Sequence, residues 1–229
     1  MKDLIIIGAG PGGYELALEA SRLGLSVILI EKEKLGGTCL NHGCIPTKSY
    51  YQNALVLKDL KEKEVYGISG DFTFDFKKVK ERKDNVVETL CKGIEFSFSK
   101  SSVELVYGKA SFVDKNTVLV NDITYTAKNI VIATGSSPIR NLFEGSNLEG
   151  VLTSEELLDL EVLPKELVII GGGVIGIEMA TIFNTFGVKV EIIEMCDRIL
   201  PLIDSDISKR LQSYLKALGI GIHTKSSLQ

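Results

Sequence analysis

The chain has 229 residues, 45% of them hydrophobic and 24% charged, the profile of a globular protein of one or two domains. Its net charge of −4, from 26 basic and 30 acidic residues, supplies neither a basic field for nucleic acid nor a polybasic patch for a membrane surface. Four cysteines do not make a secreted disulfide scaffold, no apolar run nears the roughly 18 residues that span a bilayer, and strand-like sequence begins by Leu4, too soon for a signal peptide. The expected location is the cytoplasm.

Residues 3–31 read as one strand–helix–strand unit. LIIIG is a continuous apolar run, as in a strand buried on both faces. GAGPGG follows, with Gly8, Gly10 and Gly13 in the G-x-G-x-x-G spacing and with Pro11 and Gly12 between them. These glycines serve a tight turn, close approach of backbone to a pyrophosphate, and close helix–strand packing. A helix from about Gly13 to Arg22 offers its N-terminal N–H groups to phosphate, and Gly24 ends it. SVILIE closes with Glu31, where a ribose hydroxyl would donate to it.

The stretch GGTCLNHGCIPTK, residues 36–48, comes next. A regular helix puts residues i and i+5 about 7.5 Å apart along its axis, and a disulfide wants its Cα atoms within roughly 7 Å. Cys39 and Cys44 can therefore bridge only if the backbone between them is irregular, with the regular helix starting afterwards. The other reading is two buried, reduced cysteines on a helix. Pro46 suits a first helical turn, and Cys44 near a helix N-terminus would be favoured as a thiolate, with Lys48 one turn further on.

Residues 46–64 continue that helix, and a loop, YGISGDF, leads to a second helix from about Asp75 to Ser99. Residues 103–126 alternate and predict short antiparallel strands. NIVIATGSSP predicts a buried strand ending in a Gly/Ser turn, and residues 139–152 a linker. Thr153 with Glu156 forms a capping box.

Residues 167–194 then repeat the first unit at a constant offset of 163 (171 − 8). Gly171, Gly173 and Gly176 match Gly8, Gly10 and Gly13, Gly187 matches Gly24 and Glu194 matches Glu31. One glycine motif is weak evidence, but two in one register point to two dinucleotide sites. Val174 and Ile175 open the second helix. Asp204 or Ser205 caps a helix to about Leu218, and GIGIHT begins a third strand. The fold class is α/β: two Rossmann-like three-layer nucleotide-binding domains, the second incomplete, with a small antiparallel β meander. The expected division is residues 1–145 and 146–229.

GGTCLNHGCIPTK resembles the redox-active segment of the flavin-dependent disulfide reductases, above all the dihydrolipoamide dehydrogenase family, and Ala133 to Ser136 resembles the segment leading back from its flavin domain. The resemblance implies a Cys39–Cys44 disulfide, with Cys44 facing the flavin and Cys39 exchanging with a dithiol substrate such as a lipoyl group. It places Lys48 near the flavin's reactive nitrogen, paired with Glu178, and brings Gly37 and Thr38 to the flavin phosphates. Lys32, Ala110, Ala133, Thr134 and Gly135 join the cofactor-binding set. FAD is expected at the first site, because disulfide–flavin electron exchange needs contact and Cys39 lies eight residues past Glu31 (39 − 31). NAD is expected at the second, since Glu194 repels a 2′-phosphate; Arg198, four residues on, is discounted. Cys91 and Cys196 read as small buried hydrophobes. His42 and His223 suit neither a metal site nor the family's histidine base, which together with its dimerisation domain lies beyond the matching segment. The resemblance therefore implies half of a homodimeric enzyme, without meaningful turnover alone and inclined to associate through an open sheet edge. Rival readings are a mercuric or glutathione-type reductase and a non-catalytic FAD-binding module.

Overall fold

The computed structural model describes residues 1–140 and 143–228. It contains two compact units, residues 1–46 with 84–138, and residues 47–83 with 139 onward. In the first, β1 (Lys2–Ile7), α1 (Pro11–Arg22) and β2 (Val27–Glu31) form the expected βαβ unit. Its strands are parallel, in register from Leu4 against Val27 to Ile7 against Ile30. α1 begins with Pro11 after Gly10 and ends beside Gly24, whose φ of +83° is glycine territory. Then come the short α2 (Gly37–His42), α3 (Cys44–Lys61), a 3-10 turn at Lys63–Tyr66 and α4 (Phe76–Ser99). β3 (Glu104–Tyr107), β4 (Ser111–Phe112), β5 (Thr117–Val120) and β6 (Ile123–Ile132) complete a sheet of order β3-β2-β1-β6-β5-β4.

Two expectations are corrected here. β3 pairs parallel with β2 instead of joining an antiparallel ribbon; Leu105 and Val106 pack into clusters on opposite faces, a pattern that reads the same in either direction. Residues 123–132 are also one strand, whose first half pairs antiparallel with β5 and whose second half pairs parallel with β1. The apolar runs of β1 and β2 are explained by cover on both faces. Leu4, Ile6, Val27 and Leu29 cluster with Ala17 and Ala20 of α1 and Phe98 of α4, and Ile5, Ile28 and Ile30 with Val118 and Val120 of β5. Each such Leu, Ile or Val contributes about 1.5–3 kcal/mol by burial.

The second unit contains α5 (Ser154–Leu158), β7 (Glu166–Ile170), α6 (Val174–Thr185), β8 (Lys189–Ile193), α7 (Ser205–Ala217) and β9 (Gly221–His223). Its three strands are parallel, in the order β7-β8-β9. The Thr153–Glu156 capping box forms, and Asp204 caps α7 by accepting from the N–H groups of Asp206 and Ile207. The division differs from a cut at residue 145, because residues 47–83 are part of this unit. Tyr50, Ala54 and Leu57 of α3 and Phe76 and Val79 of α4 are buried with Phe183 of α6 and Phe186 just after it. The Tyr50 hydroxyl donates to the Leu158 carbonyl at 3.0 Å, in the same core. The leucines of α3 announce a covered face without saying what covers it. Among the described residues no helix is long and apolar enough to cross a membrane.

Candidate redox and dinucleotide sites

The first glycine turn has distinct reasons for its glycines. Gly8 has φ +102°, and its N–H donates to the Ile30 carbonyl at 2.8 Å. A Cβ on Gly13 would stand 1.8 Å from the Gly8 carbonyl oxygen, so only glycine lets α1 start this close to β1. Gly10 differs: a Cβ there would have only the Gly37 Cα within 4 Å, at 3.8 Å. α1 has no side-chain cap, which leaves its first turn available to an outside anion. Ala133 sits against this turn, its N–H donating to the Ile7 carbonyl at 2.8 Å, and Thr134 and Gly135 follow it. Glu31 is buried: one carboxylate oxygen accepts from the Ala9 N–H at 2.7 Å, the other from the Glu33 N–H at 2.8 Å. Lys32 is exposed and pairs with Glu33 at 3.0 Å, and Ala110 is half-buried against the β-meander core.

The second turn repeats this geometry residue by residue. Gly171 has φ +104° and donates to the Ile193 carbonyl at 2.8 Å. A Cβ on Gly176 would lie 2.2 Å from the Gly171 oxygen, and one on Gly173 would have nothing within 4 Å. Glu194 is buried, accepting from Gly172 N–H at 2.6 Å and Cys196 N–H at 2.7 Å, the counterparts of Ala9 and Glu33. Burial pushes its carboxyl up, but the N–H groups of Cys196, Gly172 and Met195 and the Cys196 thiol together hold it below the ordinary value. Val174 and Ile175 are exposed large hydrophobics in the first turn of α6. At both turns the backbone is bare where a pyrophosphate approaches and clamped behind by a carboxylate, which fits a dinucleotide.

The cysteine segment is fastened to the first turn. The Gly36 N–H donates to the Ala9 carbonyl at 2.8 Å, and a Cβ on Gly37 would come within 2.6 Å of the Gly10 Cα. Gly36 and Gly37 both have positive φ, +93° and +58°, which turns the chain back over the glycine loop. Thr38, exposed, and half-buried Cys39 follow in α2. The backbone breaks at Gly43 (φ −141°, ψ −110°), and Cys44 opens α3 with Pro46 in its first turn. Cys39 thus lies inside a helix of its own, and regular helix begins at Cys44 itself. Both cysteines are free thiols here; Cys44 is the exposed one. A hydrogen bond between the two side chains, with burial added, pushes the Cys39 thiol above its ordinary range.

Lys48, four residues into α3, forms an ion pair with Glu178 of α6, as expected. Arg198 is held by the Pro201 carbonyl at 2.9 Å, and its Nε is a buried nitrogen without a partner. The apolar reading of Cys91 and Cys196 is corrected. Both are half-buried, Cys91 Sγ reaching Asn41 Oδ1 at 3.5 Å and Cys196 bonding Glu194. Sequence reasoning passed over Asn41, which donates to the carbonyls of Leu35 at 2.9 Å and Gly37 at 3.0 Å. Its one available signal was its place between the cysteines.

A family model described as pyridine nucleotide-disulphide oxidoreductase matches residues 2–229. The chain is 46% identical over 233 residues to a dihydrolipoyl dehydrogenase of Acholeplasma laidlawii, covering 99% of this chain and 69% of that protein. It is 41% identical over 232 residues to a dihydrolipoyl dehydrogenase of Bacillus subtilis (strain 168), covering 98% and 51%. Among solved structures, the Cu(II) complex of the HOCl-induced flavoprotein disulfide reductase RclA from Escherichia coli superposes with a TM-score of 0.88 at 31% identity, over 99% of this chain and 49% of that one. The chain thus spans about two thirds of the first relative's length and about half of the other two.

Proposed function

The chain belongs to the pyridine nucleotide-disulphide oxidoreductase family, and we propose that it carries the dithiol-to-flavin part of a dihydrolipoyl dehydrogenase-type reaction. In that reaction a dihydrolipoyl dithiol and NAD+ give the cyclic disulfide, NADH and a proton. The observation that carries the reading is the Gly36 N–H on the Ala9 carbonyl, which anchors the cysteine segment to the first dinucleotide turn. FAD there would be held by Gly8, Gly10, Pro11, Gly12, Gly13, Glu31, Lys32, Gly37, Thr38, Ala110, Ala133, Thr134 and Gly135. NAD would be held by Gly171, Gly173, Val174, Ile175, Gly176 and Glu194, the carboxylate favouring a free ribose hydroxyl over a 2′-phosphate.

A substrate thiolate attacks Cys39 Sγ of the Cys39–Cys44 disulfide, and Cys44 leaves as a thiolate. The second substrate thiol closes the substrate's own ring, breaking the mixed disulfide and releasing Cys39. The electron pair is now on the protein dithiol, and the proton resides on Cys39, whose contact with Cys44 and burial hold it protonated. Cys44 is exposed, so its sulfur is open to a bound flavin. FAD, when bound at the first turn, would supply the acceptor for that electron pair and the hydride chemistry toward NAD+. Lys48, oriented by Glu178, carries a positive charge one helical turn after Cys44 in α3. That pair is partly exposed, so its net stability contribution is about 0–1 kcal/mol, and its use lies in charge placement.

The test is anaerobic reduction of the FAD-loaded chain by dihydrolipoamide, followed by flavin absorbance. The wild type bleaches, Cys44→Ser binds FAD without bleaching, and Lys48→Met bleaches more slowly with an almost unchanged melting temperature. Wild-type bleaching rates in Cys44→Ser would refute the assignment.

A further inference from the structure

The Asn41 side chain has every hydrogen-bonding group in use. Its two N–H donors go to the carbonyls of Leu35 at 2.9 Å and Gly37 at 3.0 Å, and its oxygen faces Cys91 Sγ at 3.5 Å. Two carbonyl acceptors on one side fix which way the amide points. The loop it gathers is the one whose Gly36 N–H is anchored on Ala9. Asn41 itself lies in α2, two residues after Cys39 and two before the break at Gly43. Cys91, on α4, stands behind it and also lies 3.8 Å from the Leu35 carbonyl. Burial pushes the Cys91 thiol up, so it stays a protonated donor.

We infer that Asn41, backed by the Cys91 thiol, is a positioning residue that sets the equilibrium between the Cys39–Cys44 dithiol and its disulfide. This rests on the redox reading of the two cysteines given above. The physical argument is one of effective concentration. Gly36 and Gly37, both in the left-handed region, are the softest backbone in the segment, and α2 is too short to hold its own orientation. Asn41 ties helix to loop, so Cys39 is presented to Cys44 before any bond forms. Without the tie the dithiol gains freedom that closing the disulfide must remove, and the equilibrium moves toward the dithiol.

The chain is equilibrated in a series of glutathione buffers. There two protein thiols and one oxidised glutathione give the Cys39–Cys44 disulfide and two reduced glutathiones. Acid quenching, alkylation and peptide mass spectrometry then give the disulfide fraction. Asn41→Asp, which sets oxygens against two carbonyl oxygens, is expected to lower the equilibrium constant about tenfold, equivalent to about 30 mV. Asn41→Ala shifts it in the same direction, Cys91→Ala less, and Cys91→Ser, which keeps a donor, stays near the wild type. A merely structural role would lower the melting temperature and leave the constant of the folded protein unchanged. That result in the Asn41 variants overturns the inference. If Asn41→Asp does not fold, Asn41→Ala and Cys91→Ala decide it, and two wild-type constants overturn it equally. A wild type that forms no Cys39–Cys44 disulfide at any buffer ratio rejects the redox reading itself.

Discussion

Gly13 and Gly12 are neighbours with opposite predicted responses to the same added methyl group. In Gly13→Ala the new Cβ would lie 1.8 Å from the Gly8 carbonyl oxygen and 2.9 Å from its carbon. Real contacts of that kind are not closer than 3.0 Å, so the first turn of α1 and the end of β1 must part by more than 1 Å. Such a movement strains the Gly8 N–H bond to Ile30 and the packing of Ala133 on the same turn. Overpacking of this kind costs about 3 kcal/mol, which for a chain of this size lowers the melting temperature by about 6–12 °C. Gly12→Ala meets nothing within 4 Å and lies inside α1, so it gains up to about 1 kcal/mol of helix propensity. Gly173→Ala separates folding from binding. Its Cβ also has nothing within 4 Å in the protein, so stability holds while dinucleotide affinity falls, because the methyl occupies the approach to the backbone. The assay is thermal unfolding of the four proteins, with NADH binding by fluorescence for the last. Gly13→Ala melting within about 2 °C of the wild type would falsify the steric argument, and Gly173→Ala binding at full affinity would remove the pyrophosphate from that spot.

Replacing Glu194 by Ala or Arg is expected to weaken NADH binding and move preference toward NADPH, measured by paired titrations, and also to destabilise, since two backbone N–H groups lose their acceptor. Because its folded carboxyl is held below the ordinary value near 4.5, Glu194 contributes stability that is present above that pH and lost as pH falls through the lower folded value; urea midpoints between neutral and acid pH check the sign. Cys44→Ala removes the sulfur that raises the Cys39 thiol, so the Cys39 thiolate absorbance should appear at lower pH than in the reduced wild type.

How much of this was legible depended on whether a feature is local. The glycine turns, the buried acids Glu31 and Glu194 behind them, the Thr153 capping box and the Asp204 cap are short-range devices, and their spacing states their geometry. The parallel placement of β3 was not legible, because alternation does not encode direction. The packing of residues 47–83 was not legible either, because the stripe of Tyr50, Ala54 and Leu57 shows that a face is buried and not that Phe183 and Phe186 bury it. Asn41 was missed for a related reason: an amide bonding three groups at once is visible only when the loop is closed.

The two copies differ in the segment that carries the cysteines. In both, the segment after the acid returns to close on its own glycine turn, through Gly36 N–H on the Ala9 carbonyl and Leu200 N–H on the Gly172 carbonyl, each at 2.8 Å. The return itself therefore belongs to the dinucleotide unit and needs no cysteine. The copies part in what they use to make it. In the second, Ile199 is fully buried and its methyl would lie 3.0 Å from a Cβ on Gly172, while Leu200 tolerates φ +47°: a hydrophobic plug holds the turn shut. In the first, buried Leu35 stands where Ile199 does, but the two residues that follow it are glycines, and the loop passes against Gly10 itself. That close approach starts α2 at Gly37, with Thr38 and Cys39 in its first turn, and under the proposed function a flavin bound at the first glycine turn would meet the dithiol there. Under the proposed function, the glycine pair that precedes the cysteines is as much a part of the redox site as the cysteines are.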